Sequence, residues 1–377
     1  QWQAVNNGLA PHTTVYGLEI DENYIYAGTS TGGVFRSSDS GNNWTAVNNG
    51  LGNAYVWEIY SVNNILFAGV NLGNTFRSTD NGDNWTDVTL ATNLKYVRGF
   101  IEHNSYIFAG TWGNGVFRSS DNGETWIPVN NGLNYQTFWD LLSDGNYLFA
   151  ASVGGGVYRS TDNGDNWTQV INGLSYTTAY RLTKHSGNLF VGTSSGGIFR
   201  SSDNGDNWTQ VGLNGNTIYA LYSYNSKLFA ATINQGIFVS SDDGNNWDPL
   251  SDNLAAQITV NLQSDSTDMY AVTLGGGVFR SGLSNVLSVK AISNEIPIDF
   301  KLEQNYPNPF NPSTTIKYSI PTSEFVTLKV YDVLGNEVAT LVNEEQLAGT
   351  YEVKFNADGL ASGMYLYTLQ TDSYIET

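Results

Sequence analysis

Two acids, two arginines and six aromatic residues in this chain are of types that could do chemistry together. Glu58 and Asp140 form a carboxylate pair, the minimum set for acid–base cleavage of a glycosidic bond. Arg98 and Arg181 supply planar guanidinium forks that take oxygens two at a time. Tyr16, Trp57, Trp112, Trp139, Tyr180 and Tyr219 offer flat faces to the C–H face of a pyranose ring. These ten residues are the predicted ligand-binding site, with Glu58 and Asp140 the catalytic pair if the protein is an enzyme. The competing reading is packing, because rings fill gaps between sheets and opposite charges pair off.

The other reactive side chains point to scaffold. His12, His103 and His185 are isolated, with no second imidazole nearby in sequence. The chain has no cysteine, which excludes disulfides, thiolate metal sites and a cysteine nucleophile. Neither a metal nor a cofactor is expected.

A period positions the candidate residues. Trp44, Trp85, Trp126, Trp167 and Trp208 are 41 residues apart, and Trp247 follows 39 later. Each closes an octapeptide, S/T-x-D-x-G-x-x-W, from SSDSGNNW (Ser37 to Trp44) to SSDDGNNW (Ser240 to Trp247). A period near 40 with four short strands per unit reads as a propeller blade. A seventh unit, Ile258 to Gly282, lacks the octapeptide's tryptophan. Its missing strand stands at the other end of the chain, where QWQAVNNGL (Gln1 to Leu9) repeats WTAVNNGL (Trp44 to Leu51). The prediction is an all-β chain whose residues 1–284 form a seven-bladed propeller closed by the N-terminal strand, leaving no open edge.

Internal comparison separates what the repeat demands from what it does not. With the units aligned on Ala27, Ala68, Ala109, Ala150, Val191, Ala230 and Ala271, the residues eleven positions earlier are Tyr16, Trp57, Arg98, Trp139, Tyr180, Tyr219 and Val260. The next position holds Gly17, Glu58, Gly99, Asp140, Arg181, Ala220 and Asn261. Both are expected at the start of the innermost strand, facing one mouth of a central channel. Trp112 joins them from a loop. Arg36, Arg77, Arg118, Arg159, Arg200 and Arg280 recur at one place in the unit and read as scaffold.

The octapeptide resembles the Asp-box of BNR-type propellers. That resemblance implies turn-forming roles for Asp39, Asp80, Asp121, Asp162, Asp203 and Asp242, whose carboxylates can accept from turn amides. The boxes lack the spacing that gathers six oxygens round calcium. Sialidases of this kind combine an arginine triad with a Tyr/Glu pair, and their F/Y-R-I-P motif is missing here. Xyloglucan-cleaving propellers are similar in repeat but normally use two propellers, and this chain holds one.

Composition changes after Gly282: all ten Trp lie at or before Trp247, while five of eight Pro lie from Pro297 to Pro321. Residues 285–298 read as a linker and 299–377 as a small β-sandwich. Its stretches FKLEQNYPNPFNPSTTIKYSIP (Phe300 to Pro321), VTLKVYDVLGNEVATL (Val326 to Leu341) and LASGMYLYTL (Leu360 to Leu369) resemble the C-terminal sorting domain of type IX secretion cargo. The resemblance implies handling by that machinery and export to the outer surface of a Gram-negative bacterium, or beyond it. Such domains usually end in a further strand with a basic tail, which is expected to be missing here. An N-terminus at Gln1 is expected to be a mature end whose export signal is gone.

Charge narrows the partners. Lys and Arg number 16 against 35 Asp and Glu, a net charge of −19, with no basic cluster. That balance argues against nucleic acid and anionic membrane surfaces as partners, and no run is apolar enough to span a bilayer as a helix. The leading reading is a secreted or surface propeller that binds glycan or protein without turnover. A self-associating structural or adhesive component is the alternative, and a glycoside hydrolase or lyase is the second alternative.

Overall fold

The computed structural model describes residues 2–377 apart from 53, 72–73, 90–95, 251–253, 255–257, 284–285, 287–290, 294–296, 298, 311, 323, 347, 358–359 and 361–362. Two compact units divide the chain, Gln1–Leu283 and Ser284–Thr377.

Among its described residues, unit one has seven four-stranded antiparallel sheets. Their first strands are Val15–Ile20, Val56–Val62, Val97–His103, Phe138–Asp144, Ala179–His185, Ile218–Tyr224 and Thr259–Ser264. Each first strand contacts the first strand of the next sheet, and the seventh contacts the first, so these strands line the axis of a closed ring. The second strands, such as Tyr147–Ser152 (YLFAAS), are near-continuous apolar runs buried on both faces, as a strand held between two neighbouring sheets must be.

Closure is made by the N-terminus. Gln3–Ala4 pairs with Gly277–Gly282 as the fourth strand of the seventh sheet. Val5 N–H donates to Val278 O at 2.9 Å, and Asn6 Oδ1 accepts from Val278 N–H at 2.7 Å. Trp2 is buried with 4% of its surface exposed.

The octapeptide turns repeat one set of bonds. In the fourth sheet, Asp162 Oδ1 accepts from Ser160 Oγ and Asn166 N–H, and its Oδ2 accepts from Asn166 Nδ2. These bonds hold the carboxyl below its ordinary value. The following tryptophan joins sheets: Trp167 Nε1–H donates to Val129 O at 2.9 Å, and its backbone N–H donates to Asn131 O. Gly132 must be glycine here, since it sits at φ +87° with a Cβ position 2.1 Å from Trp167 O. The repeated arginines latch each turn to its neighbour. Arg159 reaches Asn204 O and Asp206, and Arg280 completes the circuit at Ser40 O, 2.8 Å away.

Among its described residues, unit two holds two four-stranded sheets. One contains Ser313–Ile320 and Gly349–Asn356, the other Glu324–Asp332 and Tyr365–Gln370, and Ile316, Tyr318, Leu328, Val330, Phe355 and Leu369 share one buried core. Two expectations change. The predicted linker is not all linker, because Ala291–Ser293 is a strand paired with Gly349–Asn356. Most of its remaining residues lie outside the described set. A short final strand is present, since Ile375–Glu376 pairs with Tyr365–Gln370.

Candidate functional site

Every first strand of unit one carries a β-bulge at the same place, and it skips the residue at the same position of each unit. The register jumps across Val15/Gly17, Val56/Glu58, Val97/Gly99, Phe138/Asp140, Ala179/Arg181, Ile218/Ala220 and Thr259/Asn261. The skipped residues are therefore Tyr16, Trp57, Arg98, Trp139, Tyr180, Tyr219 and Val260. A bulged residue leaves the ladder, and its side chain is re-aimed. Seven bulges on the strands that line the axis thus present seven side chains at one level.

The five aromatic members, bridged by Tyr96 and Trp112, form an unbroken chain of ring contacts. It runs Tyr16–Trp57–Tyr96–Trp112–Trp139–Tyr180–Tyr219, with centroid separations of 4.3 to 5.6 Å. Tyr55 wedges against Tyr16 and Trp57, and Trp139 also stacks on Tyr219. All of these rings are half-buried. Inside the collar, the Arg98 guanidinium carbon lies 3.7 Å from the Trp57 centroid and 4.2 Å from that of Trp139.

Seven of the ten predicted residues, Tyr16, Trp57, Glu58, Arg98, Trp139, Arg181 and Tyr219, line one cavity of about 190 Å³. Val260 and Leu274 complete its wall. Trp112 and Tyr180 brace the lining rings from beside it. Asp140 is committed to the scaffold: Oδ1 accepts from Leu141 N–H at 2.9 Å and Oδ2 from Leu182 N–H at 2.8 Å. Arg181 donates from Nε to Tyr219 O at 3.0 Å and from Nη2 to Val260 O at 3.3 Å.

Electrostatics follow from burial. Glu58 is pushed up to about 8 by loss of water, against the pull of Arg181 and Arg98 and with repulsion from Asp140. Burial also raises Asp140, although Arg181 and the Leu182 and Leu141 amides favour its charged form. Burial pulls the Arg98 guanidinium down to about 10, helped by Arg181 and opposed by Tyr96 and Glu58. Among the described residues, Arg98 Nε and Trp57 Nε1 are buried with no hydrogen-bond partner.

Three residues of this region escaped the sequence reading. Tyr55 and Tyr96 precede the innermost strand where other blades carry Thr14, Thr137, Thr178, Thr217 and Ile258. Glu19 is the single acid at a position otherwise held by Tyr60, Ile101, Leu142, Thr183, Tyr222 and Gln263. Burial pushes Glu19 up to about 8, against the Ser61 N–H that donates to it and with repulsion from Glu58. The same alignment, extended two residues earlier and two later, would have singled them out.

Elsewhere the histidines are satisfied core groups or surface residues. His103 Nδ1 meets Ser143 Oγ and His185 Nδ1 meets Ser223 Oγ, both at 2.9 Å, while His12 is exposed. Among the described residues no group of three His, Asp or Glu side chains could hold a metal ion.

Residues 141–282 match the model of the DUF6242 beta propeller domain, and residues 304–377 match that of the secretion system C-terminal sorting domain. The chain is a β-propeller with a secretion sorting tail. That tail marks it for export by a type IX system to the outer surface or the extracellular space. No relative was found among curated proteins by sequence. Solved structures agree on the fold. YCF48 from Cyanidioschyzon merolae aligns at 14% identity and TM-score 0.58, covering 74% of this chain and 97% of that one. A YCF48 structure bound to D1 peptide aligns at 16% identity and TM-score 0.61, over 74% and 96%. A GH74 xyloglucanase from Xanthomonas campestris aligns at 16% and 0.60, covering 92% of this chain but 60% of the enzyme. At these identities the likeness concerns the fold alone.

Proposed function

We propose that the exported propeller is a non-catalytic binding module that takes the end of a glycan into its channel mouth. The observation that carries this reading is the aromatic collar, built on five bulged residues with Tyr96 and Trp112, around a cavity of about 190 Å³. Bulges and half-exposed rings at one level are costly in a core and useful at a concave site. Ring faces suit the C–H faces of a sugar, and the guanidinium groups suit its oxygens.

Hydrolysis is the second reading. A carboxyl held protonated near neutral pH, as Glu58 is, has the character of a general acid. Its expected partner Asp140 accepts from two backbone amides and does not line the cavity, which favours binding over turnover. Fold neighbours offer both uses, one solved with a peptide and one a xyloglucanase.

A glycan array probed with the full chain, beside a reducing-end release assay on the glycans it retains, tests the reading. Retention without release is expected. Release that Glu58→Gln abolishes would replace binding with hydrolysis. No retained glycan, with the protein self-associating in sedimentation, would favour the structural role.

A further inference from the structure

We propose that the channel mouth recognises a carboxylate-bearing sugar, a uronic acid residue at the end of a glycan chain. This rests on the glycan-binding reading above and adds the chemical class of the ligand.

Unsatisfied donors come first. Arg98 Nε and Trp57 Nε1 are both buried without an acceptor among the described residues, and both residues line the cavity. Buried donors are nearly always paired; of the buried side-chain atoms left unpaired among the described residues, these two belong to residues lining the cavity, where an incoming acceptor can complete them. The Arg98 guanidinium is also held in place, flanked by the faces of Trp57 and Trp139, so little ordering remains to be done on binding.

Charge is the second observation. The chain as a whole carries −19, yet the cavity wall holds two guanidinium groups against the single acid Glu58. The Asp140 carboxylate, held off the wall by the Leu141 and Leu182 amides, offsets part of the Arg181 charge and leaves Arg98 unopposed by an acid of its own. Glu58, kept protonated by burial, adds a donor in place of a repelling charge. A positive lining in so acidic a protein selects an anion.

Size and wall chemistry choose the sugar. About 190 Å³ admits one ring entering end-on and is too small for a polymer lying across it. A peptide C-terminus carries the same carboxylate, but its amides need carbonyl acceptors. The Tyr219 and Val260 carbonyls already accept from Arg181, and much of the remaining wall is ring face.

The test titrates the full chain, by tryptophan fluorescence, with oligomers of glucuronate, galacturonate, mannuronate and guluronate and with their methyl esters. Peptides with free and amidated C-termini form the comparison arm. At least one free-acid oligomer is expected to bind ten-fold or more tightly than its ester. Trp57→Phe, which keeps a ring face but removes the N–H, should shrink that gap to less than threefold. Equal binding of acid and ester, or retention of neutral glycans alone, overturns the carboxylate inference and leaves glycan binding standing. Binding of free-carboxyl peptides with no sugar bound overturns both, as does the absence of any ligand.

Discussion

The guanidinium carbon of Arg98 stands 3.7 Å from the ring centroid of Trp57, in van der Waals contact across two blades. Neither residue belongs to the repeat, and each holds the bulged position of its own innermost strand. A cation over an aromatic face is worth about 0.5–2 kcal/mol, more when water is kept away. A double-mutant cycle of Arg98→Gln and Trp57→Leu, read by denaturant unfolding, should therefore give a coupling of about 0.5–2 kcal/mol. Additive losses would mean that the ring does not hold the guanidinium.

Two tryptophans of the same blade should separate binding from packing. Trp139 is half-buried at the collar, whereas Trp167 is 4% exposed and bonds across sheets to Val129 O. Trp167→Ala is expected to cost about 3–5 kcal/mol, the range for a deleted core aromatic. Trp139→Ala should cost clearly less while weakening glycan retention at least tenfold. Equal stability losses with retention unchanged would make the collar plain packing.

Ring closure depends on the first nine residues. Besides the strand pair with Gly277–Gly282, Trp44 Nε1–H donates to Val5 O at 2.7 Å, tying the closing strand to the first blade. Removing residues 1–9 deletes that strand and buried Trp2, and Trp2→Ala alone should cost about 3–5 kcal/mol. Calorimetry of both variants should show the propeller transition lowered sharply, more so for the deletion. An unchanged transition would mean that the ring does not depend on this strand.

Stability should fall as pH rises from 7 to 8.5. Glu19 and Glu58 lie on neighbouring innermost strands and are each pushed up from 4.5 to about 8. Arg98, Arg181 and Asp140 surround Glu58, and the Ser61 amide faces Glu19. Between those values the folded state keeps protons that the unfolded chain has released, so raising the pH favours unfolding until the folded groups ionise. Buried His103 and His185 are lowered from 6.5, and their opposite contribution is confined to more acidic pH. The octapeptide acids act lower still, Asp121 and Asp203 both being drawn down to about 2. Melting temperatures should therefore decline across 7 to 8.5, with Glu58→Gln removing part of the slope. A rising or flat profile would contradict the burial of these two acids.

The octapeptides, their tryptophans and the copy of the fourth strand at Gln1 to Leu9 were sufficient to read the blades and the closure from the sequence. The bonds that make a blade are local or reach one blade onward, so a 41-residue period records them directly. Asp162 to Asn166 and Trp167 to Val129 are examples. Internal comparison also singled out the positions of the collar, because a residue the repeat does not need is visible against six copies that differ. What the sequence could not contain is which of those residues meet across the axis. Arg98 takes ring faces from the blades on either side of its own, and Arg181 reaches the carbonyl of Val260 two blades away. Asp140 stood in the sequence as the equal of Glu58, yet the fold gave its carboxylate to two backbone amides and left Glu58 on the cavity wall. The difference is physical: pairing along a strand depends on neighbours in the chain. The bulge that turns a side chain inward, and the loss of water it meets there, depend on seven strands closing around one axis.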